Sequence, residues 1–169
     1  MKLRNLATIY IFNGNKILMM YRIGSRLFKG ALWAGIGGHF EKDELNEPTK
    51  CVLRELLEET GIKIEDLDNL KLKYITTRKA NDEIRQQYIY FANLTNKSVD
   101  ILHCDEGEIS WIEIDEILNL KMSFTNGDCL KHYFSVGKNN DEIYSGVVNV
   151  LEDKPTMNFI ALRDFSTTY

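Results

Sequence analysis

Between Gly38 and Ile62 the chain reads Gly-His-Phe-Glu-Lys-Asp-Glu and then, after nine intervening residues, Arg-Glu-Leu-Leu-Glu-Glu-Thr-Gly-Ile. Glu58 and Glu59 lie three and four positions beyond Glu55, so in a helix the three acids share one face. Like charges at that spacing repel, and a helix that carries them is stable only with something cationic between them. Hard divalent cations such as Mg²⁺ take carboxylate oxygens and keep waters and substrate phosphates as their other ligands. The first reading is therefore a metal-dependent enzyme acting on a phosphate compound.

The same stretch predicts where the helix runs. It starts near Asn46 or Glu47, with Pro48 tolerated because a first-turn amide has no helical partner. Val52, Leu53, Leu56 and Leu57 form a one-sided apolar stripe. Gly61 ends the helix as a C-terminal cap. The acids face away from the stripe, toward solvent or into a cleft. Cys51 falls on the apolar side and reads as a small buried hydrophobe rather than a nucleophile.

Around this helix the chain reads mostly as strands. Residues 5–12 and 16–22 are apolar and rich in β-formers, and Asn13-Gly14-Asn15 between them is a hairpin signal. Residues 23–36, with Gly24, Gly30 and Gly35, read as a loop anchored by Leu32 and Trp33, and Gly37-Gly38 opens a turn. Strands are expected over 70–78, 84–94 and 109–114, with Asn81-Asp82-Glu83 in a loop. Asp115 is expected to cap a short helix through Leu118. Residues 126–136 read as helical, and 143–151 and 157–163 as a last strand pair around Glu152-Asp153-Lys154-Pro155. No repeat, low-complexity tract or linker interrupts the pattern, so one α/β or α+β domain is expected over 1–169.

Bulk properties exclude several classes. The 169 residues, 44% hydrophobic and 11% aromatic, suit a globular domain with a real core. A net charge of −4 argues against a polymer nucleic-acid partner, which needs a basic face to release counterions. A small anion remains compatible, because a bound metal inverts the local field. Cys51, Cys104 and Cys129 are odd in number and widely spaced, which disfavours a disulfide framework or a structural zinc. They read as reduced and place the chain in the cytoplasm. The apolar run after Met1-Lys2-Leu3-Arg4 is short and lacks a small-residue cleavage site, so it reads as a strand and not as a signal peptide. No run is long enough to span a membrane.

The motif closely resembles the signature of the Nudix hydrolases: Gly, five residues, Glu, seven residues, Arg-Glu, an aliphatic residue, any residue, Glu-Glu, any residue, Gly, aliphatic. Gly38 and Glu44 have the family's spacing, and Arg54 to Ile62 fits every fixed position of the second half. The departure is the middle, where Leu45 to Leu53 is nine residues, two more than the pattern. The extra pair is expected to lengthen the loop near Leu45 to Pro48. The flanking strands resemble the family's fold over about 5–120, and the resemblance says little about 125–169. That tail would complete the sheet, cover the pocket or form a homodimer interface.

The resemblance implies an α/β/α sandwich, with a mixed central sheet and the motif helix packed on it. Glu55, Glu58 and Glu59 would ligate Mg²⁺ or Mn²⁺, with a backbone carbonyl at Gly37 or Gly38 as a further ligand. Arg54 would orient a carboxylate on its own helix face, and Glu44 would support the loop behind the ligands. The general base would be Glu55 or Glu58. An acid from a later loop is also implied: Glu106 first, then Glu108 or Asp105, with Glu83 a weaker candidate and a solvated acidic turn the bland alternative. The reaction would hydrolyse a diphosphate linkage in a small nucleotide, either a nucleoside triphosphate or another nucleoside diphosphate derivative. A MutT-like enzyme acting on an oxidised purine nucleotide such as 8-oxo-dGTP is one form of it. A nucleotide-sensing or interaction module with the same fold and no turnover is the alternative, and the intact set of acids argues against it.

Other residues have bland readings beside the functional ones. His39, next to the turn glycines, would reach a phosphate or sit on the surface. Arg22 and Arg26 would contact a phosphate or a base edge, against the reading of solvated arginines. Tyr74, Tyr88 and Phe91 would form a stacking wall or, as strand residues, core. Trp33 is a pocket or core residue, and His103 and His132 are structural or exposed.

Overall fold

The computed structural model describes residues 1–25, 28–95, 101 and 106–167. Strand β1 (Lys2–Asn13) turns through Gly14 and Asn15 into β2 (Lys16–Ser25). Gly14 takes φ +61° there, a left-handed conformation that glycine enters without steric cost. β3 (Phe28–Ala34) pairs antiparallel with β2, from Met20 opposite Ala34 to Ser25 opposite Phe28. The expected loop over 23–36 is thus largely a strand. Its glycines hid the β pattern, and the open edge of β2 supplied the hydrogen bonds that propensity alone did not predict.

The motif helix α1 (Pro48–Thr60) follows, with Gly61 at φ +77° donating its amide to the Leu57 carbonyl at 2.9 Å. β4 (Leu67–Ala80) and β5 (Glu83–Leu94) form a hairpin around Asn81 and Asp82, and β6 (Gly107–Glu113) pairs with β2. Then come α2 (Ile114–Ile117), α3 (Phe124–Ser135), β7 (Ile143–Leu151) and β8 (Lys154–Leu162). Asp115 lies in the first turn of α2 and does not cap it. Glu113 holds the cap position without a side-chain bond, and the Ile114 amide donates to the Asn15 carbonyl instead. α3 begins two residues before 126, because Ser123 caps it by accepting from the Asn126 amide.

All the described strands join one mixed sheet, in the order β3-β2-β1-β5-β4-β7-β8 with β6 also on β2. β1 runs parallel to β5, and β4 parallel to β7. Helices pack on both faces. Cys51, Val52 and Leu56 of α1 bury against Ala7, Ile9, Leu18, Met20 and Tyr90. Ile117, Cys129 and Leu130 bury on the other face with Tyr10, Met19, Tyr74 and Phe91. Tyr74 and Phe91 are therefore core, while Tyr88 is half-buried against Phe40 at a ring distance of 5.4 Å. His132 is structural, with Nδ1 3.0 Å from the Tyr74 hydroxyl. One correction concerns the α1 stripe: Leu57 is 47% exposed and Leu56 fully buried, so the apolar face is narrower than its leucines suggested.

Candidate active site

The segment Ile36–His39 runs antiparallel to β1, with Ile9 opposite Ile36 and Leu6 opposite His39. It passes so close that a side chain at Gly37, where φ is +139°, would collide with the Ala7 carbonyl. At Gly38 an added Cβ would meet the Glu55 carboxylate at 2.5 Å. The two glycines thus let the turn lie directly on the acidic face of α1.

Glu59 is 5% exposed and does not face solvent. Its carboxylate accepts the Gly37 amide at 2.9 Å and Arg22 Nη2 at 2.7 Å. Arg22 reaches in from β2, donates to the Gly37 carbonyl at 2.6 Å and lies 3.1 Å from a Glu106 carboxylate oxygen. Sequence reasoning placed Arg22 with substrate or solvent; the structure places it among the acids. Burial pushes the Glu59 carboxyl up to about 7, against the pull of Arg22 and the Gly37 amide, with Glu55 and Glu106 adding to the rise. Burial likewise raises Glu55, partly offset by Arg54.

Arg54 organises the outer side. Its Nε and Nη2 bond both oxygens of buried Glu44 at 2.7 and 3.0 Å. Nη2 also lies 2.9 Å from Glu55, and Nη1 donates to Glu58 at 2.9 Å. Leu45–Glu47, between Glu44 and the helix, forms a turn, and the longer spacing leaves Glu44 beneath Arg54. His39 is exposed and meets this network through its backbone carbonyl, which accepts from Arg54 at 3.1 Å. Glu108 is exposed on β6, and Glu83 is held by Arg4 and Arg85 at 2.7 and 2.8 Å. Arg26, His103, Cys104 and Asp105 lie outside the described residues.

The donors at the turn are of the kind hard divalent cations take, although among the described residues no three acidic, histidine or cysteine side chains converge as a metal site. The set is all oxygen, and Glu55 and Glu59 are both raised, chiefly by burial and further by neighbouring carboxylates, so a doubly charged ion would relieve a strain that Arg22 and Arg54 offset only in part. Beside the Gly37 turn opens a cavity of about 170 Å³, lined among others by Thr8, Arg22, Trp33, Arg78, Gln87 and Asn126. Sequence reading missed Arg78, Gln87 and Asn126. Only Ser123 as a helix cap hinted that Asn126 sits in a first turn.

A model of the NUDIX domain matches residues 2–133. The chain belongs to the Nudix family. It is accordingly an enzyme, a pyrophosphohydrolase. Solved structures of similar fold include a MutT protein from Bacillus halodurans, 22% identical over 92% of this chain and 97% of that one, with a TM-score of 0.66. Another is a MutT protein from Methanosarcina mazei Go1, 18% identical over 82% and 96%, with a TM-score of 0.65. A third is an Ap4A hydrolase from C. elegans, 16% identical over 83% and 100%, with a TM-score of 0.63. At these identities the likeness is one of fold. Nudix hydrolases generally use divalent metals and small nucleotide substrates. Among the described residues of this one, no helix is long and apolar enough to cross a membrane.

Proposed function

We propose that this Nudix protein is a metal-dependent hydrolase cleaving a diphosphate linkage in a nucleoside triphosphate or another nucleoside diphosphate derivative, with Mg²⁺ or Mn²⁺. The observation that carries this reading is the set of acids at the Gly37–Gly38 turn, with Glu55 against Gly38 and Glu59 and Glu106 both on Arg22, beside a cavity of about 170 Å³. Glu55, Glu58, Glu59 and Glu106, with a backbone carbonyl at Gly37 or Gly38, would hold the cation. When bound, such a cation neutralises phosphate oxygens and acidifies water. Arg54 fixes Glu55 and Glu58 from one guanidinium, and Glu44 fixes Arg54. Glu55 or Glu58 then takes the proton from the attacking water.

The cavity would receive the base, with Trp33 on one wall and the Gln87–Asn126 amides on another. Arg22, which lines the cavity and pairs with Glu59, would meet the phosphates. Free, buried Cys51 and Cys129 suit a reducing cytoplasm. Residues 1–169 would act as one domain, because β7 extends the sheet and α3 lines the cavity.

The test is phosphate and pyrophosphate release across a nucleotide panel with Mg²⁺, Mn²⁺ or EDTA, on wild type and Glu59→Gln. Calorimetric Mn²⁺ titration runs alongside. We expect metal-dependent cleavage, with turnover down by orders of magnitude and weaker Mn²⁺ binding in the variant. A folded variant that loses less than about tenfold, roughly 1.4 kcal/mol of barrier, would remove Glu59 from the metal site.

A further inference from the structure

Lys73 on β4 is 2% exposed, yet among the described residues no carboxylate forms an ion pair with it. A lysine is almost never fully buried unless it is paired. Its ammonium donates only to neutral acceptors, the Asn140 carbonyl at 2.8 Å and Asn140 Oδ1 at 3.3 Å, and lies 5.9 Å from the Tyr144 ring centroid. The strand is built to put it there. Regular alternation would send Lys73 and Tyr74 to opposite faces of the sheet. The register between β4 and β5 shifts between Leu72 and Tyr74, as a bulge does when it re-aims a side chain. Tyr74 packs with Cys129 and Leu130, and Lys73 lines a cavity on the same side of the sheet, against Phe91 and Tyr133.

That cavity, of about 130 Å³, gathers Lys71 and Lys138 beside Lys73. Asp141 is the one carboxylate of its lining, so three ammonium groups against one acid leave an excess of two positive charges, in a chain whose net charge is −4. Asp141 pairs with Lys71 in a largely exposed contact that contributes little. Lys138 lies 5.9 Å from the Phe134 ring centroid and makes no ion pair among the described residues. Nor are these lysines needed to satisfy the end of α3. The Val136 carbonyl accepts the Asn139 amide and Asn140 Nδ2, and the His132 carbonyl accepts the Val136 amide. Phe91 and Tyr133 stack at 3.7 Å and form an apolar wall, which focuses the field of the lysines. Burial lowers the Lys73 pKa, and the Lys71 charge adds to the fall against the pull of Asp141. A bound anion would relieve both effects.

We propose that this cavity is a second anion site, in which Lys71, Lys73 and Lys138 hold the phosphoryl group of inorganic phosphate or of a small phosphate ester. An excess of two charges matches a phosphoryl group, which carries about −1.5 to −2 near pH 7 and three acceptor oxygens. Lysine meets such a group as a point charge. The site stands at the C-terminal end of α3, whereas Ser123 and Asn126 at the start of that helix line the cavity beside the Gly37 turn. It uses no metal and does not rest on the hydrolase reading.

The test is a titration of the protein's backbone amide NMR spectrum with inorganic phosphate in EDTA, and with chloride at equal ionic strength to read screening alone. Phosphate is expected to shift the amides of Lys71, Lys73 and residues 137–140 saturably, and chloride is not. Lys73→Met should raise the phosphate Kd by about tenfold, the loss of one charge-assisted bond. Lys138→Gln, at an exposed position, should raise it by about threefold and keeps the test standing if Lys73→Met does not fold. Adenosine 5′-monophosphate separates the two sources. Tighter binding than phosphate assigns the site to the phosphoryl group of a larger molecule, and binding no tighter than phosphate assigns it to the free ion; either supports the proposal. Shifts that chloride reproduces, or shifts confined to Gly37, Gly38 and the cavity beside them, overturn it. So does wild-type phosphate affinity in the folded lysine variants.

Discussion

Glu44 has no place in the acidic cleft, yet its carboxylate is 1% exposed and takes two N–H groups of Arg54 plus the Glu41 amide at 2.8 Å. The Arg54 bonds hold its carboxyl down to about 2, against the burial that would raise it. A depressed carboxyl stabilises the fold above its unfolded pKa, and the contribution is lost as pH falls through the folded value. For Glu44 the window runs from about 4.5 down to about 2. Glu44→Gln is therefore expected to cost about 2–3 kcal/mol at pH 7, and the cost should shrink steadily below pH 4.5. Urea unfolding of both proteins at several pH values checks this; a cost that does not change with pH would mean that Glu44 packs as a neutral group. The family resemblance has Arg54 orient an acid of its own helix and Glu44 support the loop; that Arg54 also grips Glu44 with two N–H groups appears only in the fold. The position of Arg22 was not legible either, because it depends on where β2 lies relative to a helix 37 positions away in sequence.

At the scale of the element, α1 shows what periodicity settles and what it leaves open. Pro48, the acids and Gly61 fixed its ends and its polar side. The width of its apolar face depends on what the sheet covers, and adjacent leucines cannot report that. Leu56 is buried against β1 and β2, while Leu57 is 47% exposed. Leu56→Ala should cost about 2–4 kcal/mol through lost burial and a residual cavity. Leu57→Ala should change stability by less than about 0.5 kcal/mol. Equal losses in thermal or urea unfolding would contradict the observed rotation of the helix. The hairpins were legible for a related reason. Asn-Gly at 13–14 and Asn-Asp at 81–82 are local turn chemistry, whereas β3 is held by a neighbouring edge and carries no comparable local signal.

For the whole molecule, the sequence specified the acidic half of the site and left the other half to topology. The cavity draws Thr8 from β1, Arg78 from β4, Gln87 from β5 and Asn126 from α3, residues with no shared motif. The parallel pairing of β1 with β5 and the packing of α3 bring them beside the Gly37 turn. Arg22 and Gly37 belong to both halves, so on the proposed reading a nucleotide whose base filled the cavity would lay its phosphates toward the glutamates. Cation and nucleotide should then stabilise the fold cooperatively. A ligand at about 100 times its dissociation constant adds about 2.7 kcal/mol. In a chain of 169 residues that is a rise of about 5–10 °C in Tm. Mn²⁺ together with a non-hydrolysable nucleoside triphosphate should raise Tm by more than the sum of the two separate shifts. In Glu59→Gln the nucleotide shift should persist while the excess disappears, because the cavity is intact and the bridge through the acids is weakened. Strictly additive shifts in the wild type would show that the two halves bind independently, and would separate the cavity from the phosphate chemistry.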